Sequence, residues 1–492
     1  MSRIRRPAPR LAGRTLAVLA VASLALTGCG RESVSEDGGP GQAEAIAEGE
    51  ATGDIEVWAM GTEGEMLGDF VADFEEANPD ADVKVTAVPW EAAHDKISNA
   101  IAAGETPDVS LIGTTWMGEF AEAGGLEPTP EGLVDEADFF EGAWGSTVVG
   151  DTSYGVPWYV ETRVLYYRTD LAEKAGWSEA PATWDDLKQF ATDMQDKAGA
   201  EYGLNLQPGQ TGSWQSVLPF AWSNGAAVTS DDGTEYTIDS PEMTEALEYY
   251  KSYFDEGLSN DRTLDPGELE SGFADGQYGA FISGPWHTGL VEDAGVSQDD
   301  YAVAPLPGKD SGPGTSFVGG GDLAVFSASD NQEGAWQLVQ WLADPETQSA
   351  WYDTIGDLPA VRTSWESGEL ADDPQLAVFG EQLDSTLAPP AVPSWEQVAA
   401  VVDSNVEKAV KGAMPVDEAV ADMQKQASSI GTGLLSWPPP PRRRRVRVPP
   451  RHPHAGPTRC GASRPSRPGC SRCRSWRCSW SSPPGPCSPA SG

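Results

Sequence analysis

Asp54-Ile55-Glu56-Val57 through Val109-Ser110-Leu111-Ile112 is the stretch whose reading decides the fold. Ile55 and Val57 alternate with polar neighbours, the period-two signature of a strand. Met66, Leu67, Phe70, Val71 and Phe74 then recur at helical spacing, and Asn78-Pro79 ends that helix. Val83, Val85 and Ala87 alternate again, Ile97 and Ile101 mark a second helix ending at Gly104, and Val109–Ile112 is a third strand. This β-α-β-α-β order predicts an α/β protein with a parallel sheet and right-handed crossovers.

Further along, Thr183-Trp184-Asp185-Asp186 is a helix-capping pattern ahead of Leu187, Phe190, Ala191 and Met194. Ser240-Pro241 starts another helix with proline in its first turn. Glu333 to Ala343 and Pro415 to Ile430 are two more periodic segments, with Trp336 and Trp341 assigned to core packing. Upstream, residues 30–53 are rich in Gly, Glu, Ala and Ser and read as an acidic tether. Order is expected to start at Asp54.

The N-terminus supplies an address. Arg3, Arg5, Arg6, Arg10 and Arg14 precede the apolar run Leu16–Leu26, and Leu26-Thr27-Gly28-Cys29 closes it. A basic start, a short apolar segment and small residues at the cut define a secretory signal over residues 1–28. The run is too short to span a bilayer, which takes about 20 apolar residues. Leu26–Cys29 resembles a bacterial lipobox, which implies a lipid anchor on Cys29 and a body on the extracytoplasmic face of the cell membrane.

The chain's net charge of −44 combines three unlike parts. Residues 1–29 hold five arginines and no acid, and residues 437–492 hold twelve arginines and no acid. All 76 acids and the other 15 bases therefore fall in residues 30–436, a net −61. So anionic a body excludes nucleic acid as a partner. It contains no cysteine and only His94 and His287, so neither disulfides nor a zinc site is expected, and no cofactor is called for. The last 56 residues, with fourteen prolines and five cysteines but no hydrophobic period, have the composition of a GC-rich gene read out of frame after about Leu435. Intact-mass measurement of the native protein tests this: a mature species retaining Pro438–Gly492 would contradict it.

Four blocks in order then resemble one family. They are Tyr154-Gly155-Val156-Pro157-Trp158 through Leu187; Thr106-Pro107-Asp108-Val109 through Gly125-Leu126; Phe273, Gly276, Ala280-Phe281 and Gly284-Pro285-Trp286; and Gly319-Gly320-Gly321-Asp322 through Gly356-Asp357-Leu358-Pro359-Ala360. Together they span about residues 54–435 and are similar to bacterial extracellular solute-binding proteins of the sugar type, the maltose-binding-protein-like lipoproteins of ABC importers. The resemblance implies a two-lobed periplasmic-binding-protein-like fold with a hinge and several chain crossings, near Val160, Val318–Gly321 and Asp357–Ala360. It divides the chain into residues 54–160 plus 319–358 as one lobe and 161–318 plus 359–436 as the other. It also implies a monomer that binds a small carbohydrate between the lobes, delivers it to permease subunits, and is not an enzyme.

Sugar rings present C–H faces and a hydroxyl rim, which aromatic plates and carboxylates suit. On that ground, and by the resemblance, Trp286 is the expected platform. Tyr159 lies in the Pro157–Val160 turn and Glu161 follows it, where a sugar-binding member of the family places a contacting acid. Arg163 and Arg362 are scarce positive charges beside crossings; Gly320 and Asp322 belong to the triple-glycine crossing; and Thr62 and Glu63 end the first strand. Trp58, Trp116, Trp214 and Trp222 complete the ligand-binding set. Two other readings stay open: a binder of a non-sugar solute such as a polyamine or amino acid, and a secreted glycosidase.

Overall fold

The computed structural model describes residues 45–46 and 49–434. Cys29, the signal segment, most of the tether and the Arg/Pro/Cys tail lie outside the described residues. Among those described, no helix is long and apolar enough to cross a membrane.

The strands in chain order are β1 (Thr52–Met60), β2 (Asp80–Val88), β3 (Val109–Gly113), β4 (Val148–Val149), β5 (Thr152–Ser153), β6 (Val156–Thr162) and β7 (Val164–Arg168). They continue with β8 (Ala280–Ser283), β9 (Tyr301–Ala304), β10 (Ser316–Val325), β11 (Leu358–Pro359) and β12 (Thr386–Leu387). β1 begins two residues before Asp54, the expected start of order. The Ala51 amide just ahead of it donates to Asn78 Oδ1 at 2.8 Å, and Ala51 is itself buried.

A seven-stranded sheet runs β11-β6-β10-β3-β1-β2, with β12 alongside β10. β1 pairs parallel with β2 (Ile55 opposite Val83, Val57 opposite Val85) and with β3, which is the predicted β-α-β-α-β unit. β10 then enters antiparallel between β3 and β6, with a bulge at Gly321/Asp322. The three positions expected as crossings thus sit on β6, β10 and β11, hydrogen-bonded neighbours in one sheet.

A second, three-stranded sheet has the order β8-β7-β9. Successive side chains of a strand point to opposite faces. Accordingly Tyr166 and Phe281 join the apolar core of the large sheet, while their neighbours Leu165 and Ala280 join a second core. That second core is built from helices including Trp184–Asp193, Trp214–Ser223, Pro241–Asp255, Trp395–Val410 and Val416–Ile430.

Candidate functional site

The parallel strands β1, β2 and β3 all end on one edge of the sheet, the edge where open α/β sheets bind ligands. Each runs into a helix, Gly61–Phe70, Trp90–Ala103 and Met117–Glu122 respectively. Thr62, Glu63, Trp90 and Trp116 are therefore gathered there. Gly61 has φ 53°, and a Cβ on it would lie 2.9 Å from Trp90 Nε1 and 3.2 Å from Glu63 Oε2, so only glycine allows this approach. Trp90 and Trp116 meet with ring centroids 5.7 Å apart. Thr62 is exposed, and Glu63 is buried at 9% exposure. Trp58 is on the same strand, with the Lys96 ammonium capping its ring at 3.6 Å, and neither it nor Thr62, Glu63 or Trp116 is among the residues that line the cleft described next.

A cleft of about 590 Å³ is lined by Tyr159, Glu161 and Asp357 from β6 and the turn before β11. Trp286, Thr288 and Glu292 of the helix Trp286–Asp293 line it too, with Tyr352. Trp286 is 43% exposed, a large amount for a tryptophan on a folded body. Its orientation is enforced. A Cβ on Gly284 would lie 2.1 Å from Trp286 Cζ3 and 2.7 Å from Arg163 Nη1, so glycine lets the ring fold back over the backbone. Arg163 stacks on the ring, its Cζ 4.4 Å from the centroid. It also donates to Glu161 Oε2 at 3.2 Å and to Gln215 Oε1 at 2.9 Å. Arg163 thus positions Trp286 and Glu161 rather than lining the cleft itself.

Burial pushes the Tyr159 hydroxyl well above its ordinary pKa, and the neighbouring Glu63, Asp357 and Glu161 carboxylates add to this. Burial, then Glu63 and Glu161, push Asp357 up to about 7, opposed by the Trp351 indole N–H donating to its Oδ2 at 3.1 Å. The cleft therefore offers carboxyl oxygens, one carboxyl (Asp357) that is part-protonated near neutral pH, and a phenol, together with an aromatic plate. That set suits a ligand with many donors and acceptors around an apolar face.

Four expected site residues are held elsewhere. Trp214, 5% exposed, packs edge-on against Phe317 and Trp395 at 5.2 and 5.1 Å, and Trp222 is buried in the same second core; neither has a face to offer. Asp322 is 1% exposed beside Ser146, and burial raises its pKa to about 8. The Arg362 Nε donates to Phe139 O at 2.9 Å, its Nη1 pairs with Asp384, and its guanidinium stacks on Phe140 at 4.7 Å. Gly320 serves through its backbone: φ is 122°, and a Cβ would fall 2.2 Å from Tyr159 O, so it permits β10 to pass behind the cleft strand. Sequence reasoning missed Asp357, Tyr352, Thr288 and Glu292, which line the cleft, and did not single out Trp90, which packs near Trp116 at the strand ends without lining it. Asp357 was signalled by its place in the Asp357–Ala360 crossing, and Trp90 by its place just after a parallel strand.

A parallel β-α-β-α-β unit, adjacent crossing strands and an aromatic-and-carboxylate cleft beside them define a two-lobed binding protein of the periplasmic-binding type. The chain belongs to the bacterial extracellular solute-binding protein family, whose model matches residues 61–349. It is similar to the sugar-binding protein MalE from the phytopathogen Xanthomonas citri (32% identity, TM-score 0.72, covering 77% of this chain and 97% of that one). It is also similar to the diacetylchitobiose binding protein DasA of Streptomyces coelicolor (28% identical, covering 84% of this chain and 96% of DasA). A third relative is a maltooligosaccharide ABC transporter solute-binding lipoprotein of Streptococcus pneumoniae (26% identical, covering 66% and 76%).

Proposed function

We propose that this chain is a lipid-anchored extracytoplasmic receptor that captures a mono- or oligosaccharide in the Trp286 cleft and hands it to an ABC import permease. The observation that carries the reading is the exposed Trp286 plate, fixed by Gly284 and Arg163, in a cleft walled by Tyr159, Glu161 and Asp357. The plate takes the C–H face of a sugar ring and the wall its hydroxyls. Closure of the two lobes around the ligand is stabilised in proportion to the ligand's preference for the closed form. The anchor rests on the Leu26–Cys29 segment, and a lipoprotein among the relatives supports it. The receptor binds without turning its ligand over.

A thermal-shift screen of mono- and oligosaccharides, with chromatography of the same mixtures, tests both parts. At least one saccharide is expected to raise the midpoint and to be recovered intact. Hydrolysed product would instead establish a glycosidase. One observation favours a second reading: Glu161, Glu292, Asp357, Glu369 and Asp373 line the cleft, and no lysine or arginine is among its lining residues. An amine-bearing solute such as a polyamine would answer that charge. Stabilisation by spermidine but by no saccharide would select it.

A further inference from the structure

The Trp286 cleft carries a charge pattern that a neutral sugar leaves unanswered. Its five carboxyl groups come from separate elements: Glu161 from β6, Glu292 from the Trp286–Asp293 helix, Asp357 from the turn before β11, and Glu369 and Asp373 from the short helix Glu369–Asp372 and its end. Among the described residues only Glu161 of these has a cation partner, Arg163 at 3.2 Å. That cation is already committed, since Arg163 also stacks on Trp286 and donates to Gln215. Glu292 accepts from neutral donors, the Tyr301 hydroxyl at 3.1 Å and the Gln298 amide at 2.8 Å. Asp373 caps the next helix through the Gln375 and Leu376 amides, and Asp357 accepts from the neutral Trp351 indole.

An acid on the open surface is solvated and asks for no partner. A part-buried acid does, and elsewhere this chain supplies one. Asp193 pairs with Lys197 at 2.8 Å, and Asp170 with Arg168 at 2.9 Å and Lys174 at 3.1 Å. Asp403 takes the Gly212 and Trp214 amides and the Ser213 hydroxyl. The cleft departs from that rule. Asp357 is part-buried among Glu63 and Glu161, and burial with their repulsion is what raises its pKa. A cation placed there would relieve the repulsion. The rings of Tyr159, Trp286 and Tyr352 line the same cleft, and ring faces attract an ammonium group as carboxylates do. A plate for C–H groups and an unanswered negative wall are both satisfied by one class of molecule.

We propose that the ligand is an amine-bearing saccharide, with its ring on Trp286 and its ammonium group against Asp357. This rests on the sugar reading of the cleft and makes Asp357 the residue that selects an ammonium group over a hydroxyl.

The test uses the full chain and pairs of sugars that differ by an amine for a hydroxyl: glucosamine with glucose, galactosamine with galactose, and chitobiose with cellobiose. Maltose, diacetylchitobiose and spermidine complete the probes. Calorimetry is run in about 0.05 and 1 M potassium chloride on the wild type, Asp357→Asn and Glu396→Gln. Glu396 is exposed on the helix Trp395–Val410 and outside the cleft lining, so its variant removes the same charge elsewhere. At low salt an amine sugar is expected to bind one per chain, at least tenfold more tightly than its hydroxyl partner, and to lose most of that advantage at high salt. Asp357→Asn should cut the preference for the amine several-fold, and Glu396→Gln should leave it in place. Tighter binding of a neutral sugar, equal binding within every pair, or equal effects of the two variants would overturn the amine inference and leave the sugar reading standing. If Asp357→Asn does not fold, the paired comparison on the wild type decides. Heat with no saccharide, whether or not spermidine binds, would overturn both.

Discussion

Asp322 is a carboxyl that the fold uses in its protonated form. Ser146 Oγ lies 3.0 and 3.1 Å from the two carboxyl oxygens and 2.7 Å from Ala143 O. One hydroxyl proton cannot serve three acceptors, so protonated Asp322 donates to Ser146, which donates to Ala143. Burial raises its pKa from 3.8 to about 8. An acid with a raised folded pKa holds a proton that the unfolded chain has released, so stability is full below the unfolded pKa and falls as pH rises through the folded one. Between pH 5 and 8 the wild type should lose a few kcal/mol, roughly 1.4 per unit, from this group. Asp322→Asn keeps the donor and cannot ionise, so urea midpoints at pH 5 and 8 should lie closer together than in the wild type. An unchanged pH slope would contradict the assignment. A glycine change makes a second case: Gly320→Ala would set its Cβ 2.2 Å from Tyr159 O at φ 122° and should cost about 2 kcal/mol or more, read as a lowered urea midpoint.

Individual elements show where local sequence is decisive. Thr183 Oγ1 accepts from the Asp186 amide at 3.1 Å, and Ser240 Oγ from the Met243 amide at 3.1 Å, with Pro241 in the first turn. Both caps were legible because capping is local chemistry. Thr183→Ala should cost about 1 kcal/mol in urea unfolding and Thr183→Ser much less; equal losses would show the methyl group, not the oxygen, to matter. The strands of the β-α-β-α-β unit were legible for the same reason, through alternation. The run Met66–Phe74 was read as one helix, but Val71 separates Gly61–Phe70 from Ala72–Ala77. The break is a single residue that keeps right-handed helical angles, so the apolar period passes through it undisturbed. β10 was the hardest strand to see. Its Gly319-Gly320-Gly321 centre lacks side chains to alternate, and its antiparallel place between β3 and β6 is set by partners far away in sequence. The same limit governed the site. Trp286 and Glu161 were found through their motifs, whereas Trp214 and Trp222 look alike in sequence and differ only in what packs over them.

At the scale of the whole molecule, the net −61 of residues 30–436 sits on a body without a disulfide framework. Self-repulsion of that size destabilises the compact state, and salt screens it over about 10 Å at 0.1 M. The melting temperature should rise by several degrees between about 0.05 and 0.5 M potassium chloride, since most ion pairs among the described residues have at least one solvent-exposed partner and are individually worth little. A flat or falling curve would show that those pairs outweigh the repulsion. Two apolar cores meet across the three-stranded sheet, and the crossing strands β6, β10 and β11 lie side by side next to the cleft. The central claim is that Trp286 is the plate on which a sugar is held. Calorimetry of the wild type and Trp286→Ala against the saccharide that best stabilises the wild type tests it most directly. The account predicts one site per chain and an affinity at least tenfold lower in the variant, with the melting temperature little changed because the ring is 43% exposed. Equal affinity in the two proteins would contradict it.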